Sequence, residues 1–174
     1  MSQQSVPSRV VPDPFRFAAE LRSVEGKLAV ADLLRLSDAL ASADSMLEWR
    51  LEGFMVEGAQ GQEPRLRLQV EGKLDLRCQR CLGGLEWPLK VDTLLQPVRS
   101  GQPIPEEELE DDEVDAIEID GELDVLALLE DEILLAMPIA PRHQVCEAPR
   151  PEGGTSKESP FAALASLRGS PSAE

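Results

Sequence analysis

The stretch with the clearest structural signal is residues 65–91, RLRLQVEGKLDLRCQRCLGGLEWPLKV. Its first half alternates between apolar and polar residues, with Gly72 as the only break in the apolar register. A period of two predicts a strand with one buried face and one solvated face. The apolar set is Leu66, Leu68, Val70, Leu74 and Leu76, and the polar set is Arg65, Arg67, Gln69, Glu71, Lys73, Asp75 and Arg77.

A second alternating run, residues 85–91, follows the turn residues Gly83 and Gly84. The two runs predict an antiparallel β-hairpin that carries Cys78 and Cys81 at its tip. Pro88 lies in the return strand, and because proline has no N–H to donate, it indicates the edge of a sheet.

The rest of the chain predicts an α+β domain in which an antiparallel β-sheet is packed by one or two helices. Apolar periodicity predicts a helix over residues 32–41 and a second helix over residues 125–137, capped by Asp124. The other expected elements are a short strand or turn over residues 15–28, strands around residues 47–51 and 117–119, and a turn over residues 58–64.

The chain divides into an extended arm over residues 1–14, a single domain over residues 15–149, and a linker with a short helix over residues 150–174. The terminal helix is amphipathic and too short to be stable alone. We therefore expect it to dock on its own domain or on a partner protein, through Phe161, Leu164 and Leu167.

Composition excludes several functional classes. Only 3% of the 174 residues are aromatic and none is Tyr, which disfavours base stacking on an aromatic-rich sheet. No membrane-length apolar run and no signal-peptide layout are present, and three cysteines do not suggest a disulfide framework, so we expect a soluble cytoplasmic protein. The lack of a nucleotide-binding fingerprint or a nucleophile elbow, and a lone histidine, indicate that it is not an enzyme.

The net charge of −16 is concentrated in one segment. Residues 100–141 contain fifteen of the 33 acidic residues and no Lys or Arg, which leaves the remainder at −1. Much of this acidity lies in a connector, residues 102–115, that we expect to be flexible. It is either a solvated loop or a docking surface for a basic protein.

The cysteine pair Cys78-x-x-Cys81 has three interpretations. As a redox pair it would lack the helix N-terminus that usually stabilises a reactive thiolate. As half of a zinc site it would need two further ligands, for which His143 and Cys146 are the only candidates. As a structural pair, the cysteines would only shape the turn.

Basic residues on the solvated face of the first strand and in the turn form a candidate RNA-contacting patch: Arg65, Arg67, Lys73, Arg77 and Arg80. The alternative is an ordinary solvated face, balanced by Glu71 and Asp75.

Five segments together resemble a bacterial family, the large ribosomal RNA subunit accumulation protein or YceD family. They are residues 76–81 (LRCQRC), 97–99 (PVR), 121–127 (GELDVLA), 130–138 (EDEILLAMP) and 159–167 (SPFAALASL). The resemblance implies a non-enzymatic role in the synthesis, processing or stability of 23S ribosomal RNA, through precursor RNA or a basic large-subunit ribosomal protein. The positions that carry over are Cys78, Arg80, Cys81, Glu130, Asp131, Glu132 and Cys146. Of these, the acidic residues Glu130, Asp131 and Glu132 are candidates for binding a partner.

This chain has His143 and Cys146 where some relatives carry a second cysteine pair. The resemblance therefore leaves zinc as a possibility and not a requirement. The alternative function is that of an acidic holdase for a basic ribosomal protein, with no direct RNA contact.

Overall fold

The computed structural model describes residues 9–58, 61–102 and 114–149. The described elements are β1 (Val10–Val11), α1 (Pro14–Ala19), β2 (Ser23–Ala29), two 3₁₀ helices (Val30–Asp32 and Leu34–Ala39), β3 (Leu40–Ser42), β4 (Met46–Gly58), β5 (Gly61–Arg77), β6 (Gly84–Arg99), β7 (Val114–Ile119), β8 (Leu123–Asp124) and α2 (Val125–Ala136). The first eight residues of the expected arm, residues 103–113 of the acidic connector and the C-terminal residues 150–174 lie outside the described residues.

The long hairpin at the centre of the fold confirms the alternating pattern. Strands β5 and β6 pair antiparallel from Leu66↔Leu95 to Arg77↔Gly84. All five apolar residues predicted for the inner face of β5 are at most 1% exposed. Strand β7 pairs only with Leu94–Arg99 of β6, so the first half of β6, which contains Pro88, pairs with β5 alone among the described strands. The edge expected from Pro88 is therefore present.

The sheet is mixed, which corrects the expectation of an antiparallel one. Its strand order is β2-β4-β5-β6-β7, with β3 also paired to β5. Every pairing in it is antiparallel except β6 with β7, which is parallel. A tight turn can join only antiparallel neighbours, whereas the stretch from residue 100 to residue 113 is long enough for a crossover.

Two helices cover the inner face of the sheet. Asp124 caps α2 as predicted, because its Oδ1 accepts hydrogen bonds from the N–H groups of Leu126 (2.9 Å) and Ala127 (3.1 Å). Helix α2 buries Leu129 and Ile133 in the core. Helix α1 packs so closely on β4 that a Cβ at Gly53 would lie 2.7 Å from the Ala18 Cα.

One local prediction was wrong and a second was only partly right. Residues 32–41 do not form an α-helix: most of them form the 3₁₀ helix Leu34–Ala39, and the last two belong to β3. The three-residue spacing of the buried Leu33 and Leu36 fits a 3₁₀ repeat, and Leu40 is drawn into pairing with Leu76 of the hairpin. In residues 15–28 the expected strand is present as β2, but helix α1 precedes it and was missed, although the Asp13 cap followed by Pro14 was a signal for it.

Candidate metal centre at the hairpin tip

The tip of the β5–β6 hairpin fixes the first two cysteines. The Cys78 N–H donates to the Gly83 carbonyl oxygen (2.9 Å), and the Leu82 N–H donates to the Cys78 carbonyl oxygen (2.9 Å). Leu82 takes a left-handed conformation, with φ +63°. These bonds fold the Cys-x-x-Cys segment into a tight turn, so that both side chains lie on one side of it.

The chain beyond α2 supplies the other two residues. After the helix the backbone returns to the tip, where the Gln79 N–H donates to the Pro141 carbonyl oxygen (2.8 Å). His143 and Cys146 lie two and five residues after Pro141, and the Arg80 Nη1 donates to the Cys146 carbonyl oxygen (3.3 Å). The structure thus brings together all four residues that the sequence offered as metal ligands.

The four ligand atoms form one compact cluster. All of them lie within 4.8 Å of one another. The Sγ atoms of Cys78 and Cys146 are 3.8 Å apart, and Cys81 Sγ is 3.3 Å from His143 Nδ1. A tetrahedral zinc site with Zn–S bonds of about 2.3 Å has S–S edges of about 3.8 Å. The spacing therefore fits a metal ion of this size.

The histidine is oriented as a ligand. Its Nε2 lies 3.0 Å from the Gly84 carbonyl oxygen, which can only accept a hydrogen bond. This contact places the proton on Nε2 and leaves the Nδ1 lone pair directed at the thiols. Gly84 was not expected at the site, and the only signal for it was its position at the start of the return strand.

The sulfur atoms differ in their electrostatics. Hydrogen bonds from backbone N–H groups, chiefly that of Cys81 and then those of Arg80 and His143, lower the pKa of Cys78 to about 5 despite its burial. Burial, and then the neighbouring thiols, raise the pKa of Cys146. A thiolate is the form that binds a metal, and a cation would offset the cost of crowding several thiolates together.

The basic residues predicted to contact RNA fall into two groups. Three are paired with carboxylates: Arg65 with Glu63 (3.2 Å), Arg67 with Asp92 (2.7 Å) and Lys73 with Glu86 (2.8 Å). The Arg67 guanidinium also holds the pKa of the Asp92 carboxyl below its usual range.

The remaining two basic residues, Arg77 and Arg80, donate only to carbonyl oxygens. The Arg77 Nη2 is 3.3 Å from the Leu40 carbonyl oxygen, and Arg80 contacts the Cys146 carbonyl oxygen as described above.

The acidic residues predicted to bind a partner lie on α2 and have partners within the domain. The Glu130 Oε1 accepts a hydrogen bond from the Arg35 N–H (2.6 Å), and Asp131 pairs with the Arg35 guanidinium. Glu132 is 8% exposed and accepts a hydrogen bond from the Thr93 hydroxyl (2.9 Å). Burial raises the pKa of Glu132. Phe161, Leu164 and Leu167 lie outside the described residues.

Comparisons with known proteins place the site in a family. The model of the family described as large ribosomal RNA subunit accumulation protein YceD matches residues 66–168, from β5 past the four ligand residues. A protein from Haemophilus influenzae, named large ribosomal RNA subunit accumulation protein YceD, is 28% identical over 184 residues, covering 95% of this chain and 98% of that protein. No solved structure matches the chain. No described helix is both long and apolar enough to cross a membrane.

The family match covers more than half of the chain and includes the cysteine hairpin, α2 and the return segment. The chain belongs to the large ribosomal RNA subunit accumulation protein YceD family.

Proposed function

We propose that this chain is a non-enzymatic, cytoplasmic assembly factor that promotes the accumulation of 23S ribosomal RNA by binding its precursor at the hairpin tip. The family description and the name of the relative support the process. The observation that carries the proposal is the four-residue cluster, which joins two distant segments beside Arg77 and Arg80.

Zinc is the metal that we propose for the cluster. Three cysteines and one histidine are a common structural zinc set, and the 3.8 Å separation of two sulfur atoms suits its bond lengths. Four protein ligands complete a tetrahedron and leave no position for substrate, so zinc would supply structural stability here. Cys78, Cys81, His143 and Cys146 would hold the ion.

A redox function receives less support from the same residues. The lowered pKa of Cys78 is a property that a reactive thiol needs. However, Cys78 is fully buried, and attack on an external disulfide requires an accessible sulfur.

For RNA contact, Arg77 and Arg80 are the stronger candidates among the five predicted residues. A cationic group that is already paired with a carboxylate must give up that partner to bind phosphate, whereas a guanidinium bonded to a single carbonyl keeps most of its donors. Arg65, Arg67 and Lys73 are in the first situation. Arg67 and Lys73 would extend the surface along the outer face of β5, whereas the Arg65 side chain is only 12% exposed.

The second candidate function is that of a holdase for a basic ribosomal protein. The observation in its favour is the run of fifteen acidic residues without Lys or Arg between residues 100 and 141. Within that run, Glu130 and Asp131 already hold Arg35. We therefore assign the docking of a Lys- or Arg-rich partner mainly to the connector, residues 102–115, with the C-terminal helix as a further contact.

Two variants of the full chain separate these functions. The double charge reversal Arg77→Glu/Arg80→Glu should abolish the recovery of precursor 23S ribosomal RNA with the immunoprecipitated protein. Neutralising the acidic residues between 106 and 113 should spare it. The double reversal Arg16→Glu/Lys27→Glu serves as a charge-matched control, because both cations pair with carboxylates and lie on α1 and β2, outside the hairpin. Equal loss of RNA in both variants, with the control unaffected, would refute the division of roles.

A further inference from the structure

The described lysines and arginines can be sorted by what their charged groups contact. Nine pair with a carboxylate: Arg9, Arg16, Lys27, Arg35, Arg50, Arg65, Arg67, Lys73 and Lys90. Arg22 and Arg99 lie over phenylalanine rings, at 5.6 Å and 4.1 Å from the ring centroids. Among the residues that the structure describes, only Arg77, Arg80 and Arg142 have neither kind of partner.

These three arginines occupy equivalent places relative to the cluster. Arg77 directly precedes Cys78, Arg80 lies between Cys78 and Cys81, and Arg142 directly precedes His143. Two of them come from the hairpin and one from the segment that follows α2, so the sequence keeps them more than sixty residues apart. They meet at the same end of the molecule because the segment after α2 returns to the tip, where the Gln79–Pro141 bond and the four-residue cluster join it to the hairpin.

We infer that Arg142 completes, with Arg77 and Arg80, a single phosphate-binding surface on the metal-bound hairpin tip, and that its ligand is the RNA backbone. The inference rests on the proposed function and adds to it a residue on the second segment and a dependence on metal. Arg142 is exposed, and all its guanidinium donors are available to phosphate oxygens.

The charge at the tip favours an anionic ligand. Over residues 76–84 and 141–147, the three arginines outweigh Glu147 and the single net negative charge of Zn²⁺ with three thiolates and a neutral imidazole. Leu82 and Val145, each next to a cysteine ligand, are 58% and 92% exposed. Such aliphatic side chains offer an apolar surface to unstacked bases next to the bound phosphates.

The placement of Arg142 should depend on the metal. Apart from the contacts of the cysteine sulfur atoms, three described hydrogen bonds join the return segment to the tip: Gln79 to Pro141, His143 to Gly84, and Arg80 to Cys146. Apolar packing is limited, since Pro141 is buried but Ile139 and Val145 are almost fully exposed. Without a metal ion, little else fixes Arg142 beside Arg80.

The test measures RNA binding of the full chain as a function of salt. The probe is a fluorescent pool of fragments transcribed from the large-subunit ribosomal RNA precursor, and binding is followed by anisotropy. Each phosphate contact contributes about 0.7–0.9 to the slope of log affinity against log salt concentration. Arg142→Gln and Arg80→Gln should each reduce the magnitude of the slope by about that amount. Lys27→Gln, which removes a paired cation on β2, should leave it unchanged.

Metal dependence is read from the same assay. Cys146→Ser should lose bound zinc by mass spectrometry, and its salt slope should fall at least as far as that of Arg142→Gln. If Arg142→Gln keeps the wild-type slope while Arg80→Gln loses slope, the inference is wrong and the proposed function stands. If the wild-type chain binds none of the RNA fragments, both fail. A Cys146→Ser chain that loses zinc but keeps the full slope would refute the metal dependence.

Discussion

Zinc removal should lower the thermal stability of the domain by a measurable amount. The four ligands connect the β5–β6 hairpin to the segment after α2, and an ion can bind them together only in the folded chain. Cys146→Ser is the most informative substitution. Cys146 is only partly buried, so its replacement leaves no large cavity, unlike replacement of the fully buried Cys78.

The size of the effect follows from ligand linkage. A metal present at 100 times its dissociation constant stabilises the folded state by about 2.7 kcal/mol. In a protein of this size, each kcal/mol shifts Tm by about 2–4 °C. Saturating zinc should therefore raise Tm by about 5–11 °C over the chelated protein.

The assay is scanning calorimetry of the wild type and Cys146→Ser, each with added zinc and with a chelator. We expect the Tm of the wild type to respond to zinc and that of Cys146→Ser to respond weakly or not at all. Native mass spectrometry should find one zinc ion on the wild type. Identical Tm values for the wild type in both conditions, with no bound ion, would refute the metal assignment.

Three further predictions concern the fold, each measured by urea unfolding. Burial raises the pKa of Glu132 in the folded chain, so the folded state favours the protonated carboxyl. The stability gained from that protonated form is complete below the pKa of the unfolded state. It is lost as the pH rises through the higher pKa of the folded state. Wild-type stability should thus fall relative to Glu132→Gln over that range, by at most about 1.4 kcal/mol per pH unit, and parallel curves would contradict this. Gly72→Ala should cost about 1–3 kcal/mol, because Gly72 has φ +155° and a Cβ there would lie 2.6 Å from Leu47 Cδ2; an unchanged midpoint would show that the strand adjusts freely. Asp124→Ala should cost about 1 kcal/mol and Asp124→Asn much less, whereas equal losses would argue against its role as a helix cap.

The hairpin and α2 could be predicted from the sequence because each is governed by a local pattern. In β5 the apolar residues of the alternating pattern are the buried ones. The cap at Asp124 is a contact with residues two and three positions further along the chain. Gly72, a gap in the pattern, is explained only by the Leu47 side chain that covers it from β4. The parallel pairing of β7 and the 3₁₀ helix at Leu34–Ala39 depend on contacts distant in sequence, and no local signal gives them.

The candidate site could be predicted only as a set of residue types. The counts of cysteine and histidine left His143 and Cys146 as the sole possible partners of Cys78 and Cys81. They did not show whether the chain would return to the hairpin tip. The return depends on the direction of α2 and on the contact of Gln79 with Pro141. The charge pattern likewise predicted a basic strand without showing which cations are neutralised, since the partners of Arg67 and Lys73 lie on β6 and only that of Arg65 lies on β5 itself.

The most direct test of the central claim is ultraviolet crosslinking in growing bacterial cells, with sequencing of the attached RNA and mass spectrometry of the attached peptides in the same sample. We expect crosslinks to precursor 23S ribosomal RNA, on peptides that contain residues 77–82 or 142–146. Recovery of a basic ribosomal protein on the acidic connector, with no RNA crosslink at either peptide, would contradict it.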